Sequence, residues 1–347
     1  MRSDTVTKPT AQMSLAMMDA SLGDDVFAED PTVNAFQRYA AEFFGKEEAL
    51  FVPSGTMGNL ISVGVHCGRG EEALLGQEAH IYRYEAGGAA ALMGVPLYPL
   101  PNAADGTIAI ADMEAALKPD DAHFPATKLV CLENTQNRCG GAVLPPAYVA
   151  DVAAFCADNN LVLHVDGARL MNAVVASKIS PQDALEGVDS ASVCLSKALG
   201  APVGSVIVGT SDFIYRARRL RKMLGGGMRQ VGVIAAAGKI ALEEHSKLLE
   251  NDHKNAQALA RGLQALPGVS IAGGLPAVQS NIMFVTLDEG TYGPDAAETL
   301  ASRMSQEHHV MMGVYGTHRL RCVTHFQVTR DDIDKALVGL GDVLASW

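Results

Sequence analysis

The chain has 347 residues, 48% of them hydrophobic and 19% charged, and 27 Lys+Arg stand against 39 Asp+Glu for a net charge of −12. That length suits one large domain with a smaller one, and that hydrophobic share excludes a disordered chain. The acidic balance argues against nucleic acid or an anionic membrane surface as a partner, and no apolar run approaches the ~20 residues of a membrane-spanning helix.

Short apolar runs alternate with helical stretches from about residue 46 to residue 210. Ala49 to Val52 predicts a strand that ends in Pro53-Ser54-Gly55, with a helix starting at Thr56. Ala73-Leu74-Leu75 and Pro96-Leu97-Tyr98 predict two short strands. Lys128 to Leu132 and Leu161 to Val165 predict stronger ones, with a helix from Ala147 to Asn160 between them. That is a βαβ unit, so a mainly parallel sheet with helices on both faces is expected. Ser192 to Leu195 and Val203 to Val208 add two strands, and residues 212–223 and 231–262 are helical by pattern, the second as one long element with room for a bend. After Gly268 the rhythm changes to short strands (269–271, 281–287, 310–314, 319–324) and two helices (293–308, 331–346). The expected division is an N-terminal segment over residues 1–30, a large α/β domain over 31–240, and a connecting helix with a small C-terminal α+β domain over 241–347.

In an open parallel sheet the ligand sits beyond the carboxyl ends of the strands. Three motifs fall there. Ser54-Gly55-Thr56 puts small residues at a helix start, a natural seat for phosphate and equally an ordinary N-cap. Asp166 ends a strongly apolar strand, where it is either a helix cap or partner of Arg169, or a carboxylate held for a ligand. Lys197 follows the next strand; a lysine there is commonly solvated, but one enclosed in a pocket forms a Schiff base. One explanation joins all three. Pyridoxal phosphate (PLP) needs a lysine for its aldehyde, an acid for its ring nitrogen and a helix start for its phosphate.

Other signals are less directed. Arg216 to Lys222 holds five basic residues in seven, which reads as a solvated helix face with one or two members serving a phosphate. Gly225-Gly226-Gly227 follows, a turn able to bring Lys222 or Arg229 to an anion. The ten histidines form no zinc pattern. His80 follows a strand and can reach the site, His164 lies two residues before Asp166 on one strand face, and His123 falls in a loop. Met1 to Thr7 has no apolar signal region, and the six cysteines include no CxxC pair. Buried reduced thiols and a cytoplasmic location are expected.

The motifs Arg2 to Thr7, Gly23 to Val26, Phe51 to Asn59, Asp166 to Arg169, Leu195-Ser196-Lys197, Ala201 to Ser205 and Arg221 to Gln230 occur in an order that resembles the low-specificity L-threonine aldolases. The resemblance runs from residue 2 to about residue 330. It implies a PLP enzyme of the aspartate-aminotransferase fold (fold type I), a homotetramer built from dimers with active sites at dimer interfaces. Position by position, it makes Lys197 the Schiff-base lysine, Asp166 the pyridinium partner, and Gly55 and Thr56 the phosphate binders. It further implies that Lys222 or Arg229 reaches a neighbouring subunit's cofactor and that Ser3, Arg169 and Arg321 hold the substrate carboxylate. His80 matches the ring stacked on the cofactor, and His123 the histidine near the substrate hydroxyl. One position departs: relatives generally have His where this chain has Gln136, which cannot titrate.

The function this implies is cleavage of L-threonine, L-allo-threonine and other β-hydroxy-α-amino acids to glycine and an aldehyde, in threonine catabolism and glycine biosynthesis. Two alternatives stand beside it. One is another reaction on the same cofactor (β-elimination, transamination or racemisation), separable by its products. The other is a non-catalytic binding relative that uses residues 216–222, which predicts salt-dependent retention of nucleic acid.

Overall fold

A computed structural model describes residues 1–347. Its large sheet contains β1 (Glu48–Val52), β2 (Glu71–Gly76), β3 (Leu97–Leu100), β4 (Ala126–Glu133), β5 (Val162–Asp166), β6 (Ser190–Cys194) and β7 (Ser205–Gly209). The strand order is β1-β7-β6-β5-β4-β2-β3. Only β7 runs against its neighbours, β1 and β6; β6 through β3 are parallel. The carboxyl ends of β1, β6, β5, β4 and β2 therefore open on one edge of the sheet.

The helices are α1 (Ala11–Met18), α2 (Pro31–Phe44), α3 (Gly55–His66), α4 (His80–Arg83), α5 (Ile110–Ala116), α6 (Pro146–Asp158), α7 (Leu170–Ser177), α8 (Ser211–Met223), α9 (Gly232–Glu243) and α10 (Leu249–Gln264). The long helix expected over 231–262 is two helices, joined by a 3-10 turn at His245–Leu248. The five consecutive polar residues Glu243 to Lys247 span the joint, where the sequence left room for a bend. A four-stranded sheet follows, in the order β10-β11-β9-β8, from β8 (Val269–Ile271), β9 (Ile282–Leu287), β10 (Gly313–Val314) and β11 (Arg319–Val323). With α11 (Glu289–Tyr292), α12 (Ala296–His308) and α13 (Arg330–Ala345) it encloses a hydrophobic core separate from that of the large sheet. No helix is long and apolar enough to cross a membrane.

Strand alternation decides what the large sheet presents to each side. Leu163 and Val165 of β5 enter the main core, so His164 and Asp166 share the opposite face, toward α3. Gly58 lets α3 come down on that face: a Cβ there would lie 2.5 Å from Ser192 Oγ. The N-terminal segment crosses to the small domain, where the Met1 carbonyl accepts from Val323 N–H at 3.0 Å.

Candidate active site

Five strand ends supply the site. β1 leads into the N-terminus of α3. Ser54 caps that helix, its Oγ accepting from Met57 N–H at 3.2 Å, and Gly58 N–H bonds to Ser54 O. The N–H groups of Gly55 and Thr56 are left without intrahelical acceptors. A Cβ at Gly55 would lie 2.6 Å from Cys194 Sγ, so only glycine lets the helix start approach the end of β6. Beside it the buried Ser205 Oγ has no hydrogen-bond partner. Lys197 follows β6, half-buried, with its backbone carbonyl fixed by Thr7 Oγ1 at 2.7 Å.

Asp166, at the end of β5, is 2% exposed. Its Oδ2 accepts from Asn59 Nδ2 at 3.0 Å and its Oδ1 from Ala168 N–H at 3.1 Å. Glu133 ends β4 in register with Asp166. Its carboxylate accepts from the backbone N–H groups of His80, at 2.6 Å, and Asn137, at 2.9 Å. Burial, and then the charge of Asp166, push the Glu133 carboxyl up to about 7. Past β2, α4 opens with His80, whose Nδ1 lies 2.9 Å from Glu85 Oε1. One ligand-type atom each from His80, Glu85 and Asp166 lie within 4.8 Å of one another. Burial opposes charge on His80, yet the bond to Glu85 and the nearby carboxylates outweigh it and raise its pKa. Burial raises the Glu85 carboxyl too.

A third segment closes the site. Arg169 Nε and Nη2 bond the two carboxylate oxygens of Asp4 at 2.7 and 2.6 Å, and Asn281 Nδ2, from the small domain, reaches the same carboxylate at 3.1 Å. Arg321 comes from β11. Its Nη1 donates to Asn137 Oδ1 at 2.9 Å, and its buried Nε has no partner. Ser3 Oγ caps the adjoining turn by accepting from Thr5 N–H at 3.1 Å.

A beta-eliminating lyase family profile matches residues 1–288. A probable low-specificity L-threonine aldolase of Arabidopsis thaliana is 46% identical over 340 residues, covering 97% of this chain and 94% of its own. The low specificity L-threonine aldolase of Escherichia coli K12 is 45% identical over 347 residues, covering 100% of this chain and 97% of its own. The chain belongs to the low-specificity L-threonine aldolase family. A threonine aldolase structure from Leishmania major superposes with a TM-score of 0.83 at 22% identity, covering 99% of this chain and 98% of that one, which shows the shared fold type I architecture.

The fold brings Lys197, Asp166, Gly55, Thr56 and His80 to one edge of the sheet. Within the single chain, the other expected residues have the following surroundings. The two-pronged edge of Arg169 already grips Asp4, which leaves Nη1 without a side-chain partner in the chain. His123 stands on the loop before β4, at the far end of that strand from Glu133, with its side chain 86% exposed and Nδ1 on Asp121 at 2.6 Å. Gln136 is buried in a turn, donating to Glu78 O at 3.0 Å and accepting from Cys139 N–H at 2.7 Å; its amide is a structural brace. Lys222 is exposed, and Arg229 pairs with Asp24 at 2.9 Å. The basic run is largely engaged within the chain: Arg221 is buried against Asp25 and donates to the Phe51 carbonyl at 2.7 Å, and Arg219 donates to Tyr215 at 2.6 Å.

Five residues of the site carry no role in the sequence reading: Asp4, Asn59, Glu85, Glu133 and Ser205. Four of them stand inside or directly beside motifs that were legible. For Asp4 and Asn59 the signal was a polar residue immediately next to a site residue or one helical turn into a binding helix. Glu85 had no such signal.

Proposed function

We propose that this chain cleaves the Cα–Cβ bond of L-threonine, L-allo-threonine and related β-hydroxy-α-amino acids, releasing glycine and an aldehyde, with PLP as cofactor. The observation that carries this is the meeting of Lys197, buried Asp166 and the open N-terminus of α3 on one sheet edge. The residues fit the cofactor. Its phosphate needs donors, and the Gly55 and Thr56 N–H groups stand beside the unpartnered Ser205 hydroxyl. Lys197 would hold it by its aldehyde carbon and Asp166 by its ring nitrogen. Once bound, PLP supplies an acceptor for the electron pair left at Cα.

The chain's own groups do the rest. Arg321, whose Nε edge is free, is the better carboxylate holder, with Ser3 beside it on the segment that runs along β11. Arg169 contributes Nη1 and, through Asp4, ties the N-terminal segment to the site. Because His80 Nδ1 is engaged with Glu85, Nε2 is the ring nitrogen available to take the β-hydroxyl proton. His123, Lys222 and Arg229 would act at the site of a neighbouring subunit. A homotetramer built from dimers is supported by the apolar side chains exposed on the N-terminal segment, Leu15 (58%), Met18 (79%) and Phe27 (70%). We retain the division into residues 1–30, 31–240 and 241–347, and a cytoplasmic role in threonine breakdown and glycine supply.

Absorbance of the purified protein, followed by assays of glycine and acetaldehyde from both threonine isomers, tests this reading. The family profile is described by β-elimination, so that reaction is the second reading. It would yield 2-oxobutanoate and ammonia from threonine instead. Those products, or a protein with no cofactor absorbance, would overturn the aldolase reading.

A further inference from the structure

Behind Asp166, away from the edge where the cofactor would sit, lies a row of polar groups that the reaction above does not use. Asn59 and His66 are seven residues apart on α3, two turns along one helical face. His164 and Asp166 share one face of β5, and Ser190 of β6 stands beside His164 in the parallel register. Helix and strand periodicity thus bring all five together, with His164 and Ser190 fully buried and Asn59 and Asp166 each 2% exposed.

One direction satisfies every side-chain contact in the row. Asn59 Nδ2 lies 2.8 Å from Glu85 Oε1 and 3.0 Å from Asp166 Oδ2. An amide oxygen there would face two carboxylates, so the nitrogen is toward them and Oδ1 points away. His164 Nε2, 3.3 Å from that oxygen, must then carry its proton and donate. Burial pushes the His164 pKa down to about 3, so the ring is neutral and its Nδ1 can only accept, at 2.9 Å from Ser190 Oγ. With its proton committed there, Ser190 Oγ accepts from His66 Nε2 at 2.8 Å. His66, stacked on Phe213 and held neutral by burial at about 4, therefore carries its proton on Nε2 too.

We infer that His66, Ser190, His164 and Asn59 form a one-way hydrogen-bond relay that locks both Asn59 N–H donors toward Asp166 and Glu85, so that Asp166 is held ready for the cofactor's ring nitrogen. The four are positioning residues. Only Asn59 touches Asp166, and the remote members act by fixing the orientation of the next group. Without the Ser190 proton, His164 loses the constraint on its tautomer, and the Asn59 amide loses the donor that holds its oxygen from behind, so its two N–H groups are less firmly aimed at Asp166 and Glu85. The inference rests on the PLP reading above for its consequence, but not for its geometry.

The experiment compares wild type, Ser190→Ala, Ser190→Thr and His66→Phe by titrating PLP into the apoprotein and following the absorbance of the bound cofactor. Ser190→Ala is expected to weaken PLP binding about tenfold and shift its absorbance, while Ser190→Thr, which restores the hydroxyl, returns both to near wild type. His66→Phe keeps the ring against Phe213 and removes only the last donor, so a two- to threefold weakening is expected, roughly the share of one cooperative bond; it carries the test where a Ser190 variant does not fold. Wild-type affinity and spectrum in Ser190→Ala, or in His66→Phe where that variant stands alone, overturn the relay. A second readout needs no cofactor: nitrogen-15 NMR of the apoprotein should find the ring protons of His66 and His164 on Nε2, and a proton on Nδ1 of either overturns it. A wild-type chain that takes up no PLP would sink the proposed function instead, and the ring tautomers would still decide the relay.

Discussion

Asp4 and Arg169, 165 positions apart, meet as a buried two-pronged ion pair, with Asp4 fully enclosed and its two oxygens 2.6 and 2.7 Å from the guanidinium. Asn281 of the small domain closes on the same carboxylate. The N-terminal segment, the large sheet and the small domain therefore converge on one acid next to Lys197. A carboxylate buried with this many donors is well satisfied, and an arginine left there without it is not.

Asp4→Ala is expected to cost about 3–5 kcal/mol, the usual penalty for stripping one partner from a buried pair. Urea unfolding of the variant measures this. A loss below about 1 kcal/mol, the range of an exposed pair, would show that the contact does not hold the segment down.

Acid should act through the same residue. Burial alone would raise the Asp4 carboxyl, but the charge and hydrogen bonds of Arg169, with Lys197 and Asn281, outweigh it and hold it at about 2 against the ordinary 3.8. The stabilisation is present in full above pH 3.8 and is lost as pH falls through about 2; its size is about 2 kcal/mol. Asp4→Asn should remove that part of the acid sensitivity. An unchanged acid limb in the variant would count against the pairing.

Glu133 works in the opposite sense. Its carboxyl rises from 4.5 to about 7, so the folded chain binds a proton that the unfolded chain has already released. Its contribution erodes stability as pH climbs from 4.5 to 7 and is constant beyond. In Glu133→Gln that slope should flatten, while baseline stability drops because an amide NH₂ now faces a backbone N–H. Unfolding free energies at pH 5 and pH 8 give the comparison directly.

Arg321 and Arg169 should separate kinetically. Arg321→Lys is expected to raise KM at least about tenfold with a smaller change in kcat, because an ammonium cannot reproduce the planar fork. Arg169→Lys should mainly lower stability, since its fork serves Asp4. Equal KM effects with no stability loss would return Arg169 to the substrate.

His80→Ala should lower kcat by roughly 10²–10⁴ while retaining the cofactor's absorbance, the usual share of a positioned base. His123→Ala should change the ratio of L-threonine to L-allo-threonine cleavage, and only in the assembled oligomer, because in its own chain the ring is far exposed. Turnover and isomer ratio measured for both variants at saturating PLP decide between them.

Lys197, Asp166 and Gly55 were legible in the sequence because each lies just past a run whose apolar pattern marks a strand, and topology then puts strand ends on one edge. The small domain showed itself in the same way, through a change of rhythm after Gly268. The direction of β7 and the engagement of Arg169 were not legible, and the bend allowed within residues 231–262 had no position until the fold set it at His245–Leu248. Periodicity reports which way a side chain points from its own element, and it is silent about which distant group it will meet. Asp4 finds Arg169 across 165 positions, Asn59 finds Asp166 across 107, and Gln136 gives its amide to backbone groups of a turn. Those choices were made by packing, where a buried polar atom must take the partner that the fold leaves within reach.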